Sequence, residues 1–232
     1  MTGFQAWSAN FSAEFYKSFI REDRYKLLLS GIGVTIKVSL LAIMIGILIG
    51  MFIAMCNLSR RKLPKIIGGV YTDIIRGTPS VTQLMIIYFV IFASVTLDKW
   101  IIAAIAFGIN SGAYVSEIIR AGILSVDHGQ TEAGRSLGLS AAQTMTRIVI
   151  PQAVKNIFPA LCNEFIVLIK ETAIVGYVGL MDIQKAGDFI KSATYQPFMP
   201  LVGTAIIYYV LIKILTLALR QVENSLRKSD VR

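Results

Sequence analysis

From Lys26 to Met55 the chain is apolar for long enough to cross a lipid bilayer even when tilted. Its composition extends that constraint to the whole molecule. With 232 residues, 55% of them hydrophobic, and a mean hydropathy of +0.65, the chain is too apolar for a soluble domain and long enough for several spans. The formal charge of +9 does not point to nucleic acid. The basic residues cluster at the ends of apolar segments, which is the positive-inside pattern, and they form no patch for a phosphate backbone. Cys56 and Cys162 lie in or beside apolar runs, so neither a disulfide framework nor a metal site is expected.

Within the first span, Ala42, Gly46, Gly50 and Ala54 recur every four residues, a small-residue stripe that admits a second helix closely. Lys37 is near enough to one end to snorkel. The short loop from Ser59 to Lys65 carries Arg60, Arg61, Lys62 and Lys65, which assigns it to the cytoplasm and the amino terminus to the outside. Ahead of the span, residues 1–20 lack the features of a signal peptide. Phe4, Trp7, Phe11, Phe15 and Phe19 recur at helical spacing, predicting a short helix with one aromatic stripe. That stripe suits the headgroup region, or packing against the protein's own first span, or both.

The second apolar run, Ile66 to Ser94, is interrupted by Asp73, Arg76, Gly77, Thr78 and Pro79. Proline removes a donor and clashes with the preceding turn, so two half-helices are expected, the first ending near Arg76 and the second capped by Thr78. The amides of Ser80 and Val81 then face into the protein, where a carboxylate is favoured, with Arg76 and Gln83 a turn or two away. For Arg76 alone, a salt bridge to Asp73 is an equally good reading.

A third span runs from Ile101 to about Ile119, with a small, polar inner half from Asn110 to Tyr114 typical of a helix facing other helices. Glu117 and Arg120 are spaced to pair. The fourth span follows Pro151 and reaches about Tyr177, with Asn163 and Glu164 at its middle and Lys170 and Glu171 beyond. A lone carboxylate near the bilayer centre costs several kcal/mol, so Glu164 needs a partner, water or a ligand. Residues 172–192 read as a re-entrant or surface turn, and Met199 to Leu219 as a fifth span, with Arg220, Arg227, Lys228 and Arg232 holding the carboxyl end inside.

Between the third and fourth spans lies a polar insertion, TEAGRSLGLSAAQTMTRIVIP, from Thr131 to Pro151. Gln130 or Thr131 is positioned to cap a short helix with Glu132 in its first turn, and Gly138 to reverse the chain. Ser140 then caps a second helix, Ala141 to Ile150. Two short helices at a fixed angle make a rigid cytoplasmic peg.

The order Glu132-Ala133-Gly134, then Gly138, Ile148, Ile150 and Pro151, resembles the EAA loop of the membrane subunits of bacterial ABC importers. Three further stretches, Ile74 to Leu84, Ile109 to Ile123 and Asn163 to Ile174, resemble the branch serving histidine, glutamate, glutamine, arginine and opines. One departure is Gly134, where the motif more often carries alanine; glycine there loosens the first short helix.

The resemblance implies an all-α integral membrane chain of the type I importer permease fold, with about five transmembrane helices. It comprises an interfacial segment over residues 1–25, a permease domain over 26–220 with its coupling loop over about 127–151, and a cytoplasmic tail over 221–232. It also implies a bacterial cytoplasmic membrane location, a second permease subunit of the same or a related chain, two cytoplasmic ATPase subunits and an extracytoplasmic amino-acid-binding protein. The expected role is import of a polar amino acid by alternating access. Coupling to the ATPases falls to Glu132, Ala133, Gly134, Arg135 and Gly138, and the candidate substrate residues are Arg76, Thr78, Gln83, Asn163 and Glu164.

No GxxxxGK[ST] stretch occurs, so ATP and Mg are expected on the partner ATPase, with no cofactor here and no enzymatic activity in this chain. The alternative is an ion-gradient-driven transporter with Glu164 as proton carrier, which predicts an inverted repeat that the sequence does not display.

Overall fold

The computed structural model describes residues 10–227, and every described element is helical. After a short helical stretch over residues 10–23, the helices in chain order are α1 (Tyr25–Leu58), α2 (Lys62–Arg76), α3 (Ser80–Ile86), α4 (Lys99–Leu124), α5 (His128–Ser136), α6 (Ala141–Thr144), α7 (Ile150–Glu171), α8 (Ile183–Thr194) and α9 (Phe198–Arg227). A wide helical turn, Ile87–Ile91, extends α3, and another, Met145–Val149, joins α6 to α7 without interrupting the helix.

Helices α1, α4 and α9 are each long and apolar enough to cross a membrane, and α2 with α3 makes a fourth such unit bent by 104°. The expected fourth span is α7, which has 22 residues but is less apolar than these because it holds Lys155, Asn163 and Glu164. It ends at Glu171, short of the expected Tyr177. Residues Thr172–Val178 tighten into a 3-10 turn, and the expected surface turn contains the helix α8.

The core is the seam between α1 and α4. A carbon added at Gly46 falls 3.0 Å from the Ser111 hydroxyl, and one at Gly50 falls 2.5 Å from Val115 Cγ1. The reciprocal pair on α4, Gly108 and Gly112, receives Ile45 at 2.6 Å and Ile49 at 2.7 Å. Each helix therefore sets its branched side chains into the other's glycine notches. In a membrane, where lipid tails compete for apolar contact, this close van der Waals packing is what holds helices together. Ala42 and Ala54 complete the expected stripe and are buried. At the other end of the seam, Lys37 stacks 3.6 Å from the centre of the Trp100 ring, which gives the snorkelling ammonium an aromatic seat.

Of the aromatic stripe, Phe4 and Trp7 lie outside the described residues. Phe11 and Phe15 are exposed, whereas Phe19 is buried against Leu28, Ile190 and Met199 and meets Gly203 of α9. The stripe is thus divided between an outward face and the protein's own helices.

Candidate functional site

The break between α2 and α3 is held by one side chain. Gln83 is buried, and its Nε2 donates to the Ile75 carbonyl at 2.7 Å and to Thr78 Oγ1 at 2.5 Å, while its Oε1 accepts from Asn110 Nδ2 at 2.8 Å. Carbonyls freed by the proline thus regain a donor inside the protein, the condition for irregular backbone at membrane depth. Thr78 is not the cap expected of it. Its hydroxyl points back to the Ile74 carbonyl at 2.8 Å, and Pro79 occupies the cap position with no side-chain bond to the helix. A second tie, from the Tyr71 hydroxyl to the Ile109 carbonyl at 2.5 Å, fixes α2 on α4.

Asn110, Tyr114 and Glu117 are spaced four and three residues apart, so they share one face of α4. Each meets a polar group. Asn110 binds Gln83, the Arg76 guanidinium lies 5.5 Å from the centre of the Tyr114 ring, and Glu117 pairs with Arg120 at 2.8 Å. Arg76 does not form the alternative ion pair with Asp73; its neighbours are Tyr114 and the Glu117 charge. This line opens into a polar cleft of about 460 Å³ at the ends of α1 and α4 nearest the polar insertion, lined by Asn57, Lys65, Asp73, Arg76, Glu117 and Arg120.

Glu164 is separate from that cleft. It is half-buried on α7 and accepts a hydrogen bond from the Ser111 hydroxyl at 2.8 Å, with no cation paired to it among the described residues. Asn163 beside it is exposed. The structure therefore joins Thr78 to Gln83, places Arg76 in the cleft and sets Glu164 on the neighbouring helix, with α4 as the element common to all. Sequence reasoning passed over Asn110, Ser111, Tyr114 and Tyr71 as site residues. The four-three spacing of Asn110, Tyr114 and Glu117 was the available signal.

The polar insertion forms the expected pair of short helices, with two changes. Helix α5 begins earlier, because Asp127, and not Gln130 or Thr131, caps it by accepting from the Gly129 amide at 2.7 Å. The second helix does not stop at Ile150 but runs on into α7. Gly138 reverses the chain with φ +81°, and the Leu139 amide returns to the Gly134 carbonyl at 3.2 Å. Ser140 and Gln143 cap α6 reciprocally.

Gly134 is buried where the two short helices meet. A carbon there falls 2.8 Å from Ile148 Cδ1 and 2.9 Å from Thr144 Cγ2, so the glycine brings α5 and the following helix close together. Glu132, Ala133, Arg135 and Gly138 are exposed on the outside of this unit, and Leu137 is 82% exposed at its tip. The flanking helices are tied to each other where the unit joins them, since Asn156 of α7 donates to Ser125 at the end of α4 at 2.9 Å, and Gln152 of α7 reaches Gln130 of α5 at 3.5 Å.

The chain is 41% identical over 205 residues to the arginine transport system permease protein ArtQ of Bacillus subtilis, covering 88% of this chain and 94% of that one. It is 34% identical over 209 residues to the L-cystine transport system permease protein TcyB of the same organism, covering 89% of each. A crystal structure described as an amino acid ABC transporter with histidines superposes with a TM-score of 0.81 at 43% identity, covering 89% of this chain and 98% of that one. Residues 46–228 match the model of the binding-protein-dependent transport system inner membrane component, and the chain belongs to that family.

Proposed function

We propose that this chain is one of two membrane subunits through which a polar amino acid is imported by alternating access, driven by ATP hydrolysed on separate partner subunits that hold ATP and Mg. In this reading the amino terminus is outside, the carboxyl end and the α5–α6 unit are cytoplasmic, and an extracytoplasmic binding protein delivers the substrate. These two relatives are named for chemically different amino acids, arginine and L-cystine, so the shared α-amino and α-carboxylate groups are the common denominator.

The observation that supports this most is the linkage of the α5–α6 unit to α4 and α7. A rigid pair of helices with an exposed tip sits between the helix carrying the polar line and the helix carrying Glu164. Displacing that unit moves both helices, and with them the Ser111–Glu164 contact. Glu164 supplies a negative charge for an ammonium or cationic side chain, and Arg76, in the separate cleft, a positive one for the carboxylate along the path inward. Helix α9, largely exposed in the single chain, offers surface for the second membrane subunit.

Reconstitution in proteoliposomes with the ATPase and binding protein tests the reading. Uptake of a labelled amino acid should require both companions and ATP. Uptake by this chain alone, driven by an ion gradient, overturns it.

A further inference from the structure

An apolar groove of about 350 Å³ runs between α1, α4 and α7, lined among others by Met51, Met55, Ile123, Ile150, Val154 and Leu161. We propose that it seats one acyl chain of an anionic phospholipid from the inner leaflet, and that this chain sets the spacing of the helices flanking the α5–α6 unit. The proposal uses the orientation inferred under Proposed function.

Three observations converge on this occupant. The first is length. Ile150 opens α7 and Leu161 lies eleven residues on, about 16 Å at 1.5 Å per residue. That is roughly half of a ~30 Å hydrocarbon core, the reach of one leaflet's tail. The groove begins where α1, α4 and α7 all approach the polar insertion, so it spans the leaflet on that side.

The second is shape. The volume is more than twice that of the ~150 Å³ apolar cavity known to hold benzene.

The third is charge. Arg60, Arg61 and Lys62 follow the end of α1, and exposed Arg147 precedes Ile150 by about one turn. They place cations where the phosphate of the seated lipid ends, whereas the groove's own lining is hydrocarbon. A tail there touches the last turns of α4 and the first turns of α7 at once. Immediately beside it Gly122 is packed against Ile157.

The test uses the assembled transporter in nanodiscs of defined lipid, with photoreactive phosphatidylglycerol or phosphatidylcholine carrying a diazirine in one acyl chain. Phosphatidylglycerol should label peptides containing Met51 and Val154 several-fold above phosphatidylcholine. Val154→Trp, at an exposed position facing the groove, should abolish that labelling while labelling of Val90, 71% exposed in the turn that extends α3 and outside the groove, persists. The same variant should transport fewer amino acids per ATP hydrolysed. Equal labelling of groove and Val90 by both lipids overturns the proposal in favour of unselective boundary lipid. Crosslinks from the groove to the second membrane subunit overturn it in favour of a subunit interface. Failure of the parent reading is separate, because it appears as loss of ATP-dependent uptake in the unmodified transporter.

Discussion

Ser111 of α4 donates a 2.8 Å hydrogen bond to Glu164 of α7, joining the helix that runs into the α5–α6 unit to the helix that runs out of it. Among the described residues the carboxylate has a single neutral donor and no cation, so part of its hydrogen-bonding capacity is open to a substrate.

Glu164→Gln keeps a group able to accept from Ser111 but removes the charge. Where that charge meets a substrate ammonium, affinity for cationic and zwitterionic substrates should fall about tenfold or more, since ~1.4 kcal/mol corresponds to each factor of ten. Competition assays with a panel of unlabelled amino acids against labelled uptake read the change. An unaltered inhibition profile assigns Glu164 to structure alone. Ser111→Ala separates the two cases, because it removes the donor and leaves the charge.

Gly138→Val should abolish uptake without impairing membrane insertion. The residue sits at φ +81° in open space, so the obstacle is the backbone conformation and not crowding. An L-residue pays about 1–2 kcal/mol in the left-handed region, and a β-branched one more. The turn then opens and the tip carrying Leu137 is displaced. Gly138→Asn, which tolerates this region, should retain most activity. The check is uptake normalised to the amount of protein in the membrane; normal transport by the valine variant refutes the role of the turn.

Much of this architecture can be read from residue types. The Gly-Thr-Pro break, the Gly138 reversal, the Ser140 cap and the four-residue stripe of α1 each follow from a local backbone rule, and each is present. The errors come from competition between equally suited neighbours. Asp127, Gln130 and Thr131 are all good caps, and in the structure the Asp127 carboxylate takes the Gly129 amide, so α5 starts earlier than Gln130 or Thr131 would set it. The partner of Glu164 was illegible for another reason, since Ser111 is 53 residues away in sequence and only the seam between α1 and α4 fixes its orientation. Gln83 looked like a ligand residue because an amide near a helix break suits a substrate. In the structure its amide groups are engaged by Ile75, Thr78 and Asn110.

Gln83→Leu should lower the thermal stability of the purified transporter and reduce uptake. The change leaves the Ile75 carbonyl and the Asn110 amide without partners, at about 1–3 kcal/mol for each buried group. Adding Asn110→Leu removes one of those orphans, so the double variant should be less destabilised than the sum of the two single ones. Simple additivity contradicts the pairing.

Gly50→Val tests the interlocked seam. The added atoms start 2.5 Å from Val115 Cγ1 and 3.0 Å from the Ser116 amide nitrogen. The first neighbour is a side chain held by its own helix and the second is backbone, so neither yields cheaply. Overpacking of this kind costs about 1–3 kcal/mol or more. The variant should unfold at a lower temperature in detergent, where no bilayer confines the helices. Val115→Ala removes the nearer obstacle but leaves the backbone one, so the double variant should regain only part of the lost stability. Full recovery assigns the whole clash to the side chain, and no loss in Gly50→Val shows that α1 and α4 are not in close contact at this level.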